Sequence, residues 1–322
     1  MRLLSQLALP RDPPEIAILP TRRHVIALTA AAAAVTAGLV PGRGQNRVQD
    51  RPRAVATFSI LGDFARNVGG ERVELATLVG PNGDVHVFAP TPGDVKTIAA
   101  ADIVFVNGLG LEGWIDRLIA ASATRALVVV ASRGITPRSG TRAQDRGASD
   151  PHAWQSVANA KLYVGNIRDG LIAIDAAEKK IFEANANTYL AKLDALDGEI
   201  RAAIEAIPSA RRKVITAHSA FGYFGDAYGI EFVAPEGLST EAEPSARDIA
   251  KLIEQIRREN VPALFLENVA DSRLLQRIGA ETGVRIGGRL YSDALSPPDG
   301  PAASYIEMMR SNLRELTRAL TS

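Results

Sequence analysis

Four histidines and no cysteine bound the chemistry open to this 322-residue chain. The histidines are His24, His86, His152 and His218. Without thiols there is no disulfide, thiolate metal site, thiol nucleophile or lipid-modified cysteine, so any metal must be held by nitrogen and oxygen. His218 lies in Thr216-Ala217-His218-Ser219-Ala220-Phe221-Gly222, between an apolar strand pattern at 213–216 and helical spacing over 219–228. In an open α/β sheet such a residue faces the crevice at the carboxyl ends of the strands, where ligands bind. His86 follows another strand pattern, and His152 closes a polar loop. The intervals from His86 to His152 and from His152 to His218 are both 66 residues. No short metal motif such as HExxH is present, so spacing leaves open whether the three meet or are separate surface and core residues.

The elements that must position them alternate. Strand patterns at 54–60, 73–79, 103–106 and 126–130 are interleaved with helical patterns at 63–68, 90–101 and 113–121. Helical spacing after His152 runs to about residue 182. Leu190, Leu193, Leu196, Ile200, Ile204 and Ile207 then recur at gaps of three and four, giving a long amphipathic helix over 187–207 that ends at Pro208. The alternation resumes with strands at 213–216, 231–234, 263–266 and 285–291 and helices at 219–228, 245–259, 272–282 and 303–320. Ser245 is placed as an N-cap and Gly283 as a helix stop. The pattern predicts two α/β lobes with parallel-rich sheets, 54–186 and 208–322, joined by the helix 187–207.

Residues 1–53 read differently. Arg22-Arg23 precedes an Ala-rich apolar run over 25–40, the order of an export signal and one compatible with the twin-arginine route. The run is short and Ala-rich for a membrane span, and His24 is set aside with this leader. The leader holds eight arginines against three acids, so the remainder carries 29 basic and 33 acidic side chains, a net of −4. No basic stripe for nucleic acid and no polybasic membrane patch is present. A soluble monomer in the periplasm is expected.

Four segments resemble the substrate-binding proteins of zinc and manganese ABC transporters, the TroA/ZnuA-like cluster. They are 84–112 (DVHVFAPTPGDVKTIAAADIVFVNGLGLE), 150–154 (DPHAW), 216–229 (TAHSAFGYFGDAYG), and 238–296, which contains LSTEAEPSA, LFLENVADSRL and LYSDALS. The resemblance implies metal in a cleft between two lobes joined by one rigid helix. It carries the metal ligands onto His86, His152, His218 and Asp293, with an ABC permease and its ATPase as partners. Asp-Val-His stands at 84–86 where Asp-Pro-His is common, and the polar loop lacks the family's histidine-rich insertion.

Three imidazoles and one carboxylate suit Zn2+, while Mn2+ prefers more oxygen and is the alternative. A zinc-dependent hydrolase is the rival from another class, but it needs an open coordination position and a general base. A metal-buffering or adhesion protein without a permease is a further rival. Glu112 and Glu267 fall at strand ends and could orient imidazoles; ordinary structural contacts are the preferred reading of both. Trp154, Phe221, Tyr223 and Phe224 are expected to pack around the site. Gly108-Leu109-Gly110 lacks the remaining glycine and lysine of a phosphate loop.

Overall fold

The computed structural model describes residues 51–140, 145, 147–242 and 244–321. The export reading at Arg22-Arg23 and the setting-aside of His24 lie outside these residues. Gln49–Ser322 forms one compact unit. In it two four-stranded parallel sheets repeat one plan.

The first sheet contains β1 (Arg53–Phe58), β2 (Glu74–Val79), β3 (Ile103–Val106) and β4 (Leu127–Val130), in the order β2-β1-β3-β4. The connecting helices are α1 (Ser59–Gly69), α2 (Pro92–Ala99) and α3 (Ile115–Ser122), followed by α4 (Val157–Ile174) and α5 (Lys179–Glu205). The second sheet contains β5 (Lys213–Ile215), β6 (Glu231–Val233), β7 (Leu264–Glu267) and β8 (Ile286–Leu290), in the order β6-β5-β7-β8. Its helices are α6 (Gly222–Tyr228), α7 (Ala246–Glu259), α8 (Ser272–Thr282) and α9 (Tyr305–Thr321). In each sheet the strand order reverses at the first strand, which makes a crevice beyond the carboxyl ends of β1 and β5.

Local chemistry explains the ends of these elements. Thr91 caps α2 with a capping box closed by Asp94, and Pro92 opens the helix. Ser245 Oγ accepts from Asp248 N at the start of α7. Gly283, at φ 74°, ends α8 in the left-handed conformation that glycine adopts without steric cost. In β8 one extra residue is absorbed where Leu264 pairs with Ile286 and Phe265 with Gly288.

Four boundaries differ most from the sequence reading. α1 begins at Ser59 rather than Asp63, because Ser59 and Ile60 are already helical and buried. α6 begins at Gly222 rather than Ser219, since residues 216–220 form a turn in which Ala220 N donates to His218 O. α4 stops at Ile174, where Asp175 takes φ −143°, and α5 starts at Lys179 rather than Asn187. Helical periodicity continues across both, so the sequence hid the break. Asn185, in the gap the sequence reading left between residues 182 and 187, donates from Nδ2 to Val68 O at 3.0 Å and so has a tertiary use for its amide inside the helix.

α5 has 27 residues and is therefore about 40 Å long. It buries Phe182, Ala186, Tyr189, Leu193, Leu196, Ile200 and Ile204 along one stripe. It packs on α1, α4, α6 and α9, so helices of both lobes lie against it. One hydrophobic core runs through the first lobe, α5, α6 and α9; a smaller one lies under α7 and α8. Among the described residues no helix is long and apolar enough to cross a membrane.

Candidate metal centre

The three histidines that spacing left apart meet at one point, and Asp293 meets them there. One ligating atom from each of His86, His152, His218 and Asp293 lies within 4.8 Å of the others. His86 Nε2 is 3.3 Å from His152 Nε2 and 3.4 Å from Asp293 Oδ2. His152 Nε2 is 3.6 Å from Asp293 Oδ1, and His218 Nε2 is 3.0 Å from Asp293 Oδ2. All four side chains are buried, with residue exposures of 6% for His86 and 0% for the others.

Each group reaches the crevice from the carboxyl end of a strand. His86 lies in the connection from β2 to α2, His152 between β4 and α4, His218 just after β5, and Asp293 just after β8. Both Asp-x-His segments make the same local turn. Asp84 Oδ1 accepts from His86 N at 2.9 Å, and Asp150 Oδ1 accepts from His152 N at 3.0 Å. These turns are what short acidic side chains do to their own backbone two residues on.

The imidazoles are also oriented through their far nitrogens. His152 Nδ1 is 2.8 Å from Asp150 Oδ1, which favours a proton on Nδ1 and leaves Nε2 free to bind a cation. Asp150 is in turn approached by Arg138, whose Nη1 lies 3.4 Å from Oδ2. His218 Nδ1 is 2.7 Å from Glu267 Oε2, while Glu267 Oε1 accepts from Ala217 N at 2.7 Å and His218 N at 2.9 Å. Glu267 thus positions both the backbone and the ring of His218. The sequence reading, which preferred an ordinary contact for Glu267, missed this; its place at the end of β7, beside the strand that carries His218, was the available signal. The role of Asp150 was missed too, although the repeated Asp-x-His spacing pointed to it.

Glu112 does serve as a structural contact. Its Oε1 accepts from Thr57 Oγ1 at 2.7 Å and Asn107 N at 2.6 Å, and Oε2 accepts from Gly108 N at 3.2 Å. Burial raises its pKa against these hydrogen bonds. It shapes the 107–112 turn, from which Asn107 Nδ2 donates to Pro151 O at 2.9 Å beside His152. Trp154 sets its ring edge-on against His152, with centroids 5.4 Å apart. Phe221 and Phe224 pack with Phe232, and Tyr223 donates its hydroxyl to Asp150 O. None of these aromatic groups enters the four-residue cluster.

The charges inside the cluster are strongly coupled. Burial pushes the His218 pKa down, but the carboxylates of Glu267 and Asp293 outweigh it and hold the value well above an ordinary imidazole. Burial pushes Asp293 up, but the His218 and His152 imidazoles outweigh it and hold the carboxyl well below its usual range. The close contacts of His218 with Glu267 and Asp293 lack hydrogen-bond geometry. Both ring nitrogens of His218, both oxygens of Asp293 and Glu267 Oε2 are buried without a hydrogen-bond partner. Unsatisfied buried polar atoms are costly, and a cation at the centre would give His218 Nε2 and the Asp293 oxygens a partner.

Comparison with known proteins identifies the fold's relatives. The family described as zinc-uptake complex component A periplasmic matches residues 54–319. A manganese ABC transporter substrate-binding lipoprotein, PsaA of Streptococcus anginosus, is 31% identical over 275 residues, 84% of this chain and 89% of the relative. The iron-binding protein YfeA of Yersinia pestis is 30% identical over 266 residues, 83% of this chain and 85% of the relative. Among solved structures, the periplasmic zinc binding protein TroA of Treponema pallidum superposes with a TM-score of 0.79 at 30% identity, covering 84% of this chain and 99% of that one. With the family matched along nearly all of the described chain, and with its two-lobed architecture present in both sheets, the protein belongs to the zinc-uptake component A family of substrate-binding proteins.

Proposed function

We propose that the protein is the exported solute-binding component of a metal-ion importer. It captures Zn2+ between its lobes through His86, His152, His218 and Asp293 and delivers it to an ABC permease driven by an ATPase. The carrying observation is the geometry of the four buried groups. A tetrahedron with metal–ligand bonds of roughly 2.0–2.1 Å has edges of about 3.3–3.4 Å. Four contacts among these groups run from 3.0 to 3.6 Å, and all four ligating atoms lie within 4.8 Å of one another. Residues 54–186 and 208–322 act as the two lobes, with 187–207 as the connecting part of the longer helix α5. The protein works as a monomer in the periplasm.

Mn2+ is the second reading, and one observation favours it. Asp293 faces His152 with Oδ1 and both His86 and His218 with Oδ2, so both oxygens lie toward the centre. A carboxylate placed that way can bind through two oxygens and serve a metal that takes more than four ligands. Hydrolysis is less well supported. The four groups are buried, with exposures of 6% or less, which suits a site that encloses an ion.

The test is elemental analysis of protein recovered from its native compartment, followed by competitive titration of the stripped protein with Zn2+ and Mn2+. One metal per chain, with zinc displacing manganese, is the expected result. Tighter manganese binding would reassign the cargo, and recovery of the unprocessed chain from the cytoplasm would remove the transport reading. Asp150→Asn should weaken zinc binding by about 10–100-fold, because the amide no longer orients the His152 ring as a carboxylate does. An unchanged affinity would show that the turn at Asp150 alone positions His152.

Lobe opening on metal loss is expected to be small. α5 contacts helices of both lobes, and bending it would break backbone hydrogen bonds along its middle turns. X-ray scattering of stripped and loaded protein should give nearly superimposable curves. A marked rise in radius of gyration on stripping is the contrary result.

A further inference from the structure

Asp293 belongs by chain order to the second lobe, yet its loop is also fastened directly to the first. The Ser292 carbonyl, immediately before Asp293, accepts from Trp154 Nε1 at 2.9 Å and from Gln155 Nε2 at 2.8 Å. Two residues after Asp293, Leu295 N donates to Ser59 Oγ and Leu295 O accepts from Asn82 N, each at 2.9 Å. Trp154, Gln155, Ser59 and Asn82 all lie in first-lobe segments. From the second lobe the loop meets Asn268, through Ser292 N at 3.3 Å and Ala294 O at 3.1 Å, and Asn312, whose side-chain amide accepts from Tyr291 N and donates to Tyr291 O at 2.8 Å each.

Gln155 carries the argument furthest. It is fully buried, and its Oε1 has no hydrogen-bond partner. A buried amide with an unsatisfied oxygen costs stability that an apolar side chain of similar size would not. The Ser292 carbonyl can only accept, so the Nε2 group is the part of Gln155 with a purpose there. The apolar packing agrees. Leu290, Tyr291 and Leu295 belong to the larger core, which runs through the first lobe and also takes in Val214 and Phe265 of the second sheet, whereas Ile215 and Ala217, just before His218, belong to the smaller core under α7 and α8. Ala220 and Phe221 return to the larger core, so His218 sits on the seam between the two.

We infer that Trp154 and Gln155, acting through the Ser292 carbonyl, are positioning residues that hold Asp293 on the first lobe. His86, His152 and Asp293 then form a three-ligand set assembled before metal arrives, and His218 completes it. This rests on the metal-binding reading above and replaces an even division of two ligands per lobe with three and one.

The experiment uses Co2+ as the probe, because its visible absorption reports coordination number. The parent is titrated first: no cobalt absorption there would end the metal-binding reading itself. Given a parent signal, His218→Ala should still bind Co2+, within about 100-fold of the parent, through the remaining three groups and solvent. Adding Gln155→Met, which keeps volume and removes the donor, should lower that affinity by a further 10–100-fold or so and change the spectrum as the carboxylate drifts from the metal. Trp154→Phe, which keeps a ring against Phe58 and loses the other donor, should act in the same direction. The chain has no cysteines, so spin labels can be placed cleanly at Asp116 of α3 and at Asp299 beyond Asp293, both exposed. Chelating the metal should leave the 116–299 distance unchanged. Loss of all cobalt binding in His218→Ala, insensitivity of its affinity and spectrum to both added substitutions, or a shift in the 116–299 distance on chelation would each overturn the inference.

Discussion

Asp293→Ala should weaken zinc binding more than any substitution at the groups around the ligands. Asp293 is the sole carboxylate among the four converging residues, and it is fully buried. A dication held only by neutral imidazoles keeps its whole charge in a site from which water is excluded, and unpaired buried charge is among the most expensive features a protein can carry. Removing the carboxylate therefore costs a ligand and the negative charge that these four groups supply together. Glu267→Gln removes less. Its amide oxygen can still accept from Ala217 N and His218 N, and only the charged contact at 2.7 Å with the His218 ring is lost. Its effect should stay within the roughly 10–100-fold typical of a partner behind a ligand, and the loss in Asp293→Ala should exceed that range. Competition against a chromophoric chelator at neutral pH measures both. If Asp293→Ala binds zinc as the parent does, Asp293 is not a ligand; if Glu267→Gln matches it, the division between ligand and orienting group is wrong.

How much of this site was legible in the chain depended on the kind of signal each residue leaves. The eight strands and nine helices among the described residues follow hydrophobic periodicity, which depends on local burial and can be read locally. The break between α4 and α5 left no such trace, because Asp175 interrupts the backbone while the apolar spacing carries on. The histidines are scarce, but their spacing left open whether they meet, and it was the family resemblance that joined them to Asp293. Glu267 did not stand out. A carboxylate at a strand end has several uses, and only the neighbouring position of β5 and β7 in the sheet brings it against His218. Trp154 and Gln155 were harder still. Their partner is a backbone carbonyl 137 or more residues away, and a backbone acceptor has no sequence signature.

Zinc binding should release protons, and the apparent affinity should climb with pH beyond the range of a free imidazole. Three imidazoles with unperturbed pKa values near 6.5 would by themselves lose metal below about pH 6. The surroundings of His218 move that window upward. Burial alone would make its ring a weaker base, but Glu267 at Nδ1 and Asp293 at Nε2 more than reverse this, and the metal-free pKa lies well above the ordinary value. This favours the protonated ring in the metal-free centre, beside Asp293, whose own pKa is depressed. Zinc must displace the Nε2 proton, so below the raised pKa the apparent affinity should gain about tenfold per pH unit, and above it the slope should fade. The stability of the metal-free fold runs the other way. A raised folded-state pKa contributes stability that is complete below the unfolded value of about 6.5 and is lost as pH rises through the raised one. The depressed Asp293 contributes stability above its unfolded value of about 3.9, lost as pH falls through the depressed one. Alkaline pH thus weakens the empty centre while strengthening its hold on metal, so the gap in melting temperature between loaded and empty protein should widen as pH rises above neutrality. Calorimetric titration in two buffers of different ionisation enthalpy should show about one proton released per zinc at neutral pH. Glu267→Gln, by removing one flanking charge, should move the whole pH profile downward. A zinc affinity that is flat from neutral pH upward, with no proton release in either buffer, would show that His218 is already neutral in the empty site.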